Sequence, residues 1–142
     1  MTIDIHESHS YQSPDWLPGS HAQTIFPFLF RSPAPIFYQR QKIETPDGDF
    51  LHIDWVNTTS KSPLVVLLHG LEGSSNSHYS RALMAKIKHI GWAGCIVHFR
   101  GCSGLPNRLP RAYHSGDSNE LEWLIPELKK MCLGPMFVVG YS

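Results

Sequence analysis

The rhythm of apolar positions changes near residue 63. Between Phe50 and Asn57, Leu51, Ile53 and Trp55 alternate with His52 and Asp54, the period expected of a half-buried strand. Ile36 to Ile43 precedes it as a partner strand. Thr45-Pro46-Asp47-Gly48-Asp49 lies between them with turn chemistry, proline presetting φ and glycine accepting φ > 0. From Leu64 the pattern becomes continuous. Leu64-Val65-Val66-Leu67-Leu68 is apolar throughout, as in a parallel strand covered on both faces. Ala93 to Phe99 is a second such run, and a third follows Pro135. The intervening stretches predict helices. Tyr79, Leu83, Ile87 and Ile90 share one face from Ser77 to Ile90, and Gly91 is placed to close it. Leu121, Leu124, Ile125, Leu128 and Met131 form the stripe of a second helix starting near Asp117, with Asp117 and Glu120 at capping-box spacing. Pro126 removes the bond back to Glu122 and predicts a kink.

Strand, helix, strand, helix, strand specifies a parallel sheet with right-handed crossovers. The hairpin adds an antiparallel margin, so the expected class is α/β with a mixed sheet, residues 36–142 forming one domain. Residues 1–35 follow another pattern. Pro14, Pro18, Pro27, Pro33 and Pro35 oppose long helices and central strands, and the apolar stretch Trp16 to Phe30 predicts an irregular arm packed on the domain.

Composition narrows the function classes. Twelve basic and twelve acidic residues cancel, so there is no electrostatic footprint for nucleic acid or an anionic membrane. Apolar runs are far shorter than a transmembrane segment, and no signal peptide is visible at the start. Cys95, Cys102 and Cys132 fit neither a disulfide framework nor a zinc site, which points to a reducing, cytoplasmic setting. No metal or organic cofactor is expected. His6 and His9 form a His-x-x-His pair without a third ligand and read as a solvated tail.

In an open parallel sheet the site lies outside the carboxyl ends of the strands. Three unusual loops fall there: His69 to Asn76, Arg100 to Gly116, and Gly140 to Ser142. Gly140-Tyr141-Ser142 directly after a core strand is the front half of a nucleophile elbow, in which a tight turn presents a serine hydroxyl to a carbonyl. His69-Gly70 alone is an ordinary tight turn. Paired with the later Gly-x-Ser it reads as an oxyanion loop, with the Leu71 N–H as donor. Cys102 or Ser103 would be a rival nucleophile, but that loop shows no activating base. Arg100, Arg108 and Arg111 either bind an anionic substrate group or tie the loop to nearby acids. His98 reads as a hydrogen-bonded core histidine.

Several longer motifs resemble one family. His21-x-Gln23-Thr24-x-x-Pro27, Pro46-Asp47-Gly48-Asp49, His69-Gly70-Leu71-Glu72-Gly73-Ser74, His98-Phe99-Arg100-Gly101-Cys102-Ser103-Gly104, Pro106-Asn107-Arg108, Tyr113-His114-Ser115-Gly116 and Gly140-Tyr141-Ser142 are similar, in order, to motifs of the YheT-like, or embryogenesis-associated, branch of the α/β-hydrolase superfamily. The resemblance implies a Ser-Asp-His triad, hydrolysis of carboxylic esters with acyl-ester or lipid-like substrates, Ser142 as nucleophile and Leu71 as first oxyanion donor. It places the serine-bearing strand beside the one that ends at His69, as a raw edge. It also implies that the acid, the histidine and the second oxyanion donor follow the serine. The expectation for these 142 residues alone is a truncated α/β-hydrolase fold that is not catalytically competent. The alternatives are a non-enzymatic remnant completed by a C-terminal chain, or a binding module using the aromatic arm.

Overall fold

The computed structural model describes residues 12–30, 35–58, 61–114 and 118–142. Two compact units divide the chain at Ser32. In the first, helix α1 (Ser20–Phe30) replaces the irregular arm expected from the prolines. Only Pro27 of the five lies inside the helix, where it removes the bond to the Gln23 carbonyl. Phe26 and Phe30, four residues apart, stack with centroids 5.0 Å apart, and Trp16 meets Phe26 edge-on.

The second unit carries a sheet of five strands. The hairpin is β1 (Gln39–Glu44) and β2 (Phe50–Val56), paired with Glu44 opposite Phe50. Then come β3 (Leu64–Leu68), helix α2 (His78–His89), β4 (Ala93–His98), helix α3 (Ser118–Met131) and β5 (Met136–Gly140). The order across the sheet is β1-β2-β4-β3-β5, with β4, β3 and β5 parallel and the β2 pairs antiparallel. The fold is therefore the mixed α/β sheet that the sequence predicts. The expected Asp117 capping box lies outside the described residues.

Crossover handedness explains the layering. The connection through α2 steps from β3 to β4, and the one through α3 steps back across β3 to β5. Two right-handed crossovers in opposite directions put their helices on opposite faces. Met84 and Ile87 of α2 accordingly pack with Val65, Leu67 and Ile96. Leu124 and Leu128 of α3 pack with Leu51, Ile53, Val66 and Val97 on the other face. The α2 contact face is Ser80, Met84 and Ile87, flanked by Tyr79 and Leu83, while Ile90 is exposed. Gly91, at φ +74°, closes that helix as expected. Among the described residues no helix is long and apolar enough to cross a membrane.

The alternation in β2 predicts one wet face, yet all seven of its residues are buried. The strand lies between β1 and β4, and its polar positions are covered. Asp54 bonds His98 Nε2 at 2.8 Å and receives both Nε and Nη2 of Arg40. Burial pushes the Asp54 carboxyl up, but bonds from Arg40, His98 and Ser75 outweigh it and hold it below the usual range.

A second buried ionic cluster anchors the long loop after β4. Arg100 is only 4% exposed and bonds Glu120 of α3, Asp49 at 3.0 Å and Asp47 at 2.9 Å. Asp49 also accepts the Arg108 N–H and the Asn107 amide. Asn107 in turn donates to the Phe50 carbonyl and accepts the Gly101 N–H. Arg108 grips Glu44, and Arg111 lies 3.6 Å from Asp47. These arginines tie the loop to the hairpin turn, the second of the two roles open to them.

Removing Arg100 leaves the buried carboxylates Asp49 and Glu120 without their cation. Arg100→Ala should therefore cost about 3–5 kcal/mol in urea unfolding. Hydrogen bonding to Arg100 holds the Asp47 carboxyl down at about 2. Burial pushes Asp49 up, but its bonds from Arg108, Asn107 and Phe50 and the charge of Arg100 leave it lowered. Depressed carboxyls stabilise the fold fully above their unfolded value, near 4, and lose that contribution as pH falls through the folded value. Stability should accordingly drop between about pH 4 and pH 2, and the slope should flatten in Arg100→Ala.

Candidate active site

The β3 strand ends at Leu68, and the next residue, His69, is 1% exposed and has both ring nitrogens engaged. The Phe99 N–H donates to Nε2 at 3.2 Å, so Nε2 carries the lone pair. Nδ1 therefore holds the proton and donates it to the Gly70 carbonyl at 2.8 Å. Burial pushes the His69 pKa down, in keeping with a neutral ring. Phe99 packs against that ring at 5.0 Å, and Tyr113 stacks on Phe99 at 4.3 Å.

The chain then turns. The Gly73 N–H donates to Gly70 O at 2.9 Å, and Glu72 takes φ +54° at the third position, the pattern of a type II turn. Glycine is the usual residue at that position, so Glu72 is held in a conformation that costs about 1–2 kcal/mol. Gly70 O thus accepts two bonds, both from within the loop. Among the described residues no peptide bond is cis, so the N–H of Leu71 points opposite to that carbonyl. Leu71 is 80% exposed, and among the described residues no acceptor takes its N–H.

Strand β5 delivers the serine to the same place. Its pairing with β3 sets Gly140 opposite Leu68, and the Tyr141 N–H continues the ladder to Leu68 O at 2.9 Å. Tyr141 and Ser142 therefore lie against Gly70. A methyl group built on Gly70 would stand 3.2 Å from Tyr141 O and 3.3 Å from the Ser142 carbonyl carbon, so glycine permits this approach. Tyr79, near the start of α2, touches both pieces. Its hydroxyl accepts the Gly70 N–H at 3.2 Å, and its ring stacks on Tyr141 at 4.3 Å. In sequence Tyr79 reads only as one residue of an apolar helix face; its position just after a glycine-rich loop is the available signal.

Ser142, Leu71, His69 and Gly70 thus lie together at the carboxyl ends of the neighbouring parallel strands β3 and β5. The loop after β4 contributes differently. His98 is a paired core histidine, bonded to Asp54 and, through Nδ1, to Cys102 O at 3.3 Å. Partial burial pushes the Cys102 thiol up, with the charge of Glu72 adding to it, so the thiol has no activated character. Ser115, Gly116 and the pair His6 and His9 lie outside the described residues. Among the described residues no group of three His, Cys, Asp or Glu side chains could hold a metal ion.

A thiol raised in this way reacts slowly. Cys102 should be modified by Ellman's reagent at pH 7.5 more slowly than free cysteine, and buried Cys95 and Cys132 only on unfolding. A Cys102 reaction faster than that of free cysteine would restore it as a rival nucleophile.

No family model matches the chain. Among curated proteins it is similar to YheT of Escherichia coli (strain K12), which bears the name of an esterase, at 39% identity over 150 residues, covering 99% of this chain and 44% of that protein. It is 24% identical to the embryogenesis-associated protein EMB8 of Picea glauca, over 93% of this chain and 32% of that one. Among solved structures, the Pyrococcus furiosus esterase Pf2001 superposes with a TM-score of 0.56 at 21% identity, over 79% of this chain and 47% of that one. The chain thus spans less than half the length of these relatives. Over nearly its whole length the chain resembles the YheT-like proteins, and its fold is that of the α/β-hydrolases.

Proposed function

We propose that this chain carries the nucleophile and half of the oxyanion site of a serine hydrolase acting on carboxylic esters, of acyl-ester or lipid-like type. The observation that supports it most is the abutment of Gly70 on Ser142, beside a Leu71 N–H with no acceptor among the described residues. Ser142 Oγ attacks the ester carbonyl carbon. The negative charge that develops on the carbonyl oxygen is received by the Leu71 N–H, the alcohol leaves, and water hydrolyses the acyl-serine. The esterase name of the Escherichia coli relative supports an ester substrate.

The two buried imidazoles His69 and His98, with ring centroids 6.0 Å apart, do not serve as the base. His69 has both nitrogens bonded within the loops, and His98 is held by Asp54 and Cys102 O. An unassisted serine is a weak nucleophile at neutral pH. On this reading the base, the acid that orients it and a second oxyanion donor come from outside these 142 residues. The exposed side chains of Phe137 and Val138 on β5, each 49% exposed, favour supply from a segment packed beside that strand.

The test uses a fluorophosphonate probe. The 142-residue chain alone should label at Ser142 no faster than its unfolded form. A fusion to the segment of the Escherichia coli relative that follows its match to this chain should label and should hydrolyse p-nitrophenyl esters. Ser142→Ala should lower that turnover by about 10⁴-fold or more. A folded fusion that stays unlabelled would remove Ser142 as nucleophile. Rapid labelling of the isolated chain would show that the base lies within it.

A further inference from the structure

The contacts of Tyr79 join the two parts that the reaction needs in register. We propose that Tyr79 is a positioning residue, holding the oxyanion turn and the nucleophile in mutual alignment from the first turn of α2. The inference rests on the roles given above to Ser142 and Leu71.

The geometry argues it from the peptide groups of residue 70. The Gly70 carbonyl is held on one side by the His69 Nδ1–H at 2.8 Å and by the Gly73 N–H at 2.9 Å. Because that carbonyl and the Leu71 N–H share one trans peptide, whatever holds the first aims the second. The other end of residue 70 is its own N–H, which donates to the Tyr79 hydroxyl at 3.2 Å. Glycine has the widest backbone freedom, so a residue needed for close approach must be held by its bonds rather than by its side chain. Tyr79 supplies the bond on the amino side. Its hydroxyl also fills the space over Gly73, where any β-carbon would collide with it.

The ring acts on the nucleophile. Tyr141 is pinned through its N–H to Leu68 O, and its ring lies on that of Tyr79 at 4.3 Å and 23°. One side chain therefore bears on the residue before the donor and on the residue before the serine. Phenylalanine would keep the stack but not the hydrogen bond, so the two functions separate by substitution. Tyr38 provides the control. Its hydroxyl donates to Ser75 O at 3.2 Å, at the far end of the same loop.

The primary experiment is amide hydrogen exchange by NMR on the full 142-residue chain. In Tyr79→Phe the Gly70 amide should exchange about tenfold faster or more, with shifted Leu71 resonances and little change in the urea midpoint. Tyr79→Leu should add shifts at Tyr141 and Ser142 that the Phe variant leaves in place. Tyr38→Phe should leave Gly70 exchange unchanged. In the fusion protein, Tyr79→Phe should lower kcat about tenfold with KM within about twofold, since a misaimed donor weakens only the transition state. Unchanged Gly70 exchange in Tyr79→Phe, or an equal loss of kcat in Tyr38→Phe, would overturn the proposal. If Ser142→Ala retains turnover, the reading of the nucleophile fails instead, and Gly70 exchange still decides whether Tyr79 holds the turn.

Discussion

The His69 imidazole sits almost out of water with a hydrogen bond at each nitrogen. Each bond ends on a different element. Nε2 holds the backbone where β4 runs out, and Nδ1 holds the first carbonyl of the turn after β3. Two loops that leave adjacent parallel strands are thereby tied at their roots. The arrangement needs a neutral ring, because a second proton would set an N–H against the Phe99 N–H. Burial disfavours that proton, so the same desolvation that costs free energy also preserves the tie. The Gly70 carbonyl, the turn behind it and the direction of the Leu71 N–H follow from this single tautomer.

Charge performs the same service farther out. Arg100 brings the hairpin turn, the loop after β4 and the start of α3 to one point, through Asp47, Asp49 and Glu120. Arg40, Asp54 and His98 do so across three strands on the α2 face. Pairs whose carboxylate is buried, as Asp49, Asp54 and Glu120 are, recover little net stability against apolar packing, but each is unfavourable when broken. Their geometry accounts for a long loop that is rich in glycine and proline yet held at many points.

The sheet was legible in the sequence because its signals are local. The apolar runs Leu64–Leu68 and Ala93 to Phe99 have few other uses, and Pro46 with Gly48 marks the hairpin. Parallel pairing and handedness then followed from general rules, and the place of the serine-bearing strand beside β3 from the family resemblance. The errors came where tertiary context overrides local pattern. His52 and Asp54 read as a solvated face because their partners, on β4 and β1, are distant in sequence. Residues 20–30 read as irregular because five prolines fall in or near them, whereas the helix that forms there carries aromatic contacts at Phe26. The serine and its neighbouring loop were legible as motifs. Tyr79 was not, since an aromatic on a helix face looks the same whether it fills a core or holds a backbone amide.

The pairing of β5 with β3 acts as a ruler. Leu68 stands opposite Gly140, and both loops depart at that height. Each residue advances a strand by about 3.3 Å and reverses the side toward which the next one faces. One residue added between Met136 and Gly140 would carry Ser142 past Gly70, one lost would leave it short, and either would turn it to the other face of the sheet. The length of this short strand is therefore constrained more tightly than its composition. Evolution is free to exchange its apolar side chains, but not to insert among them.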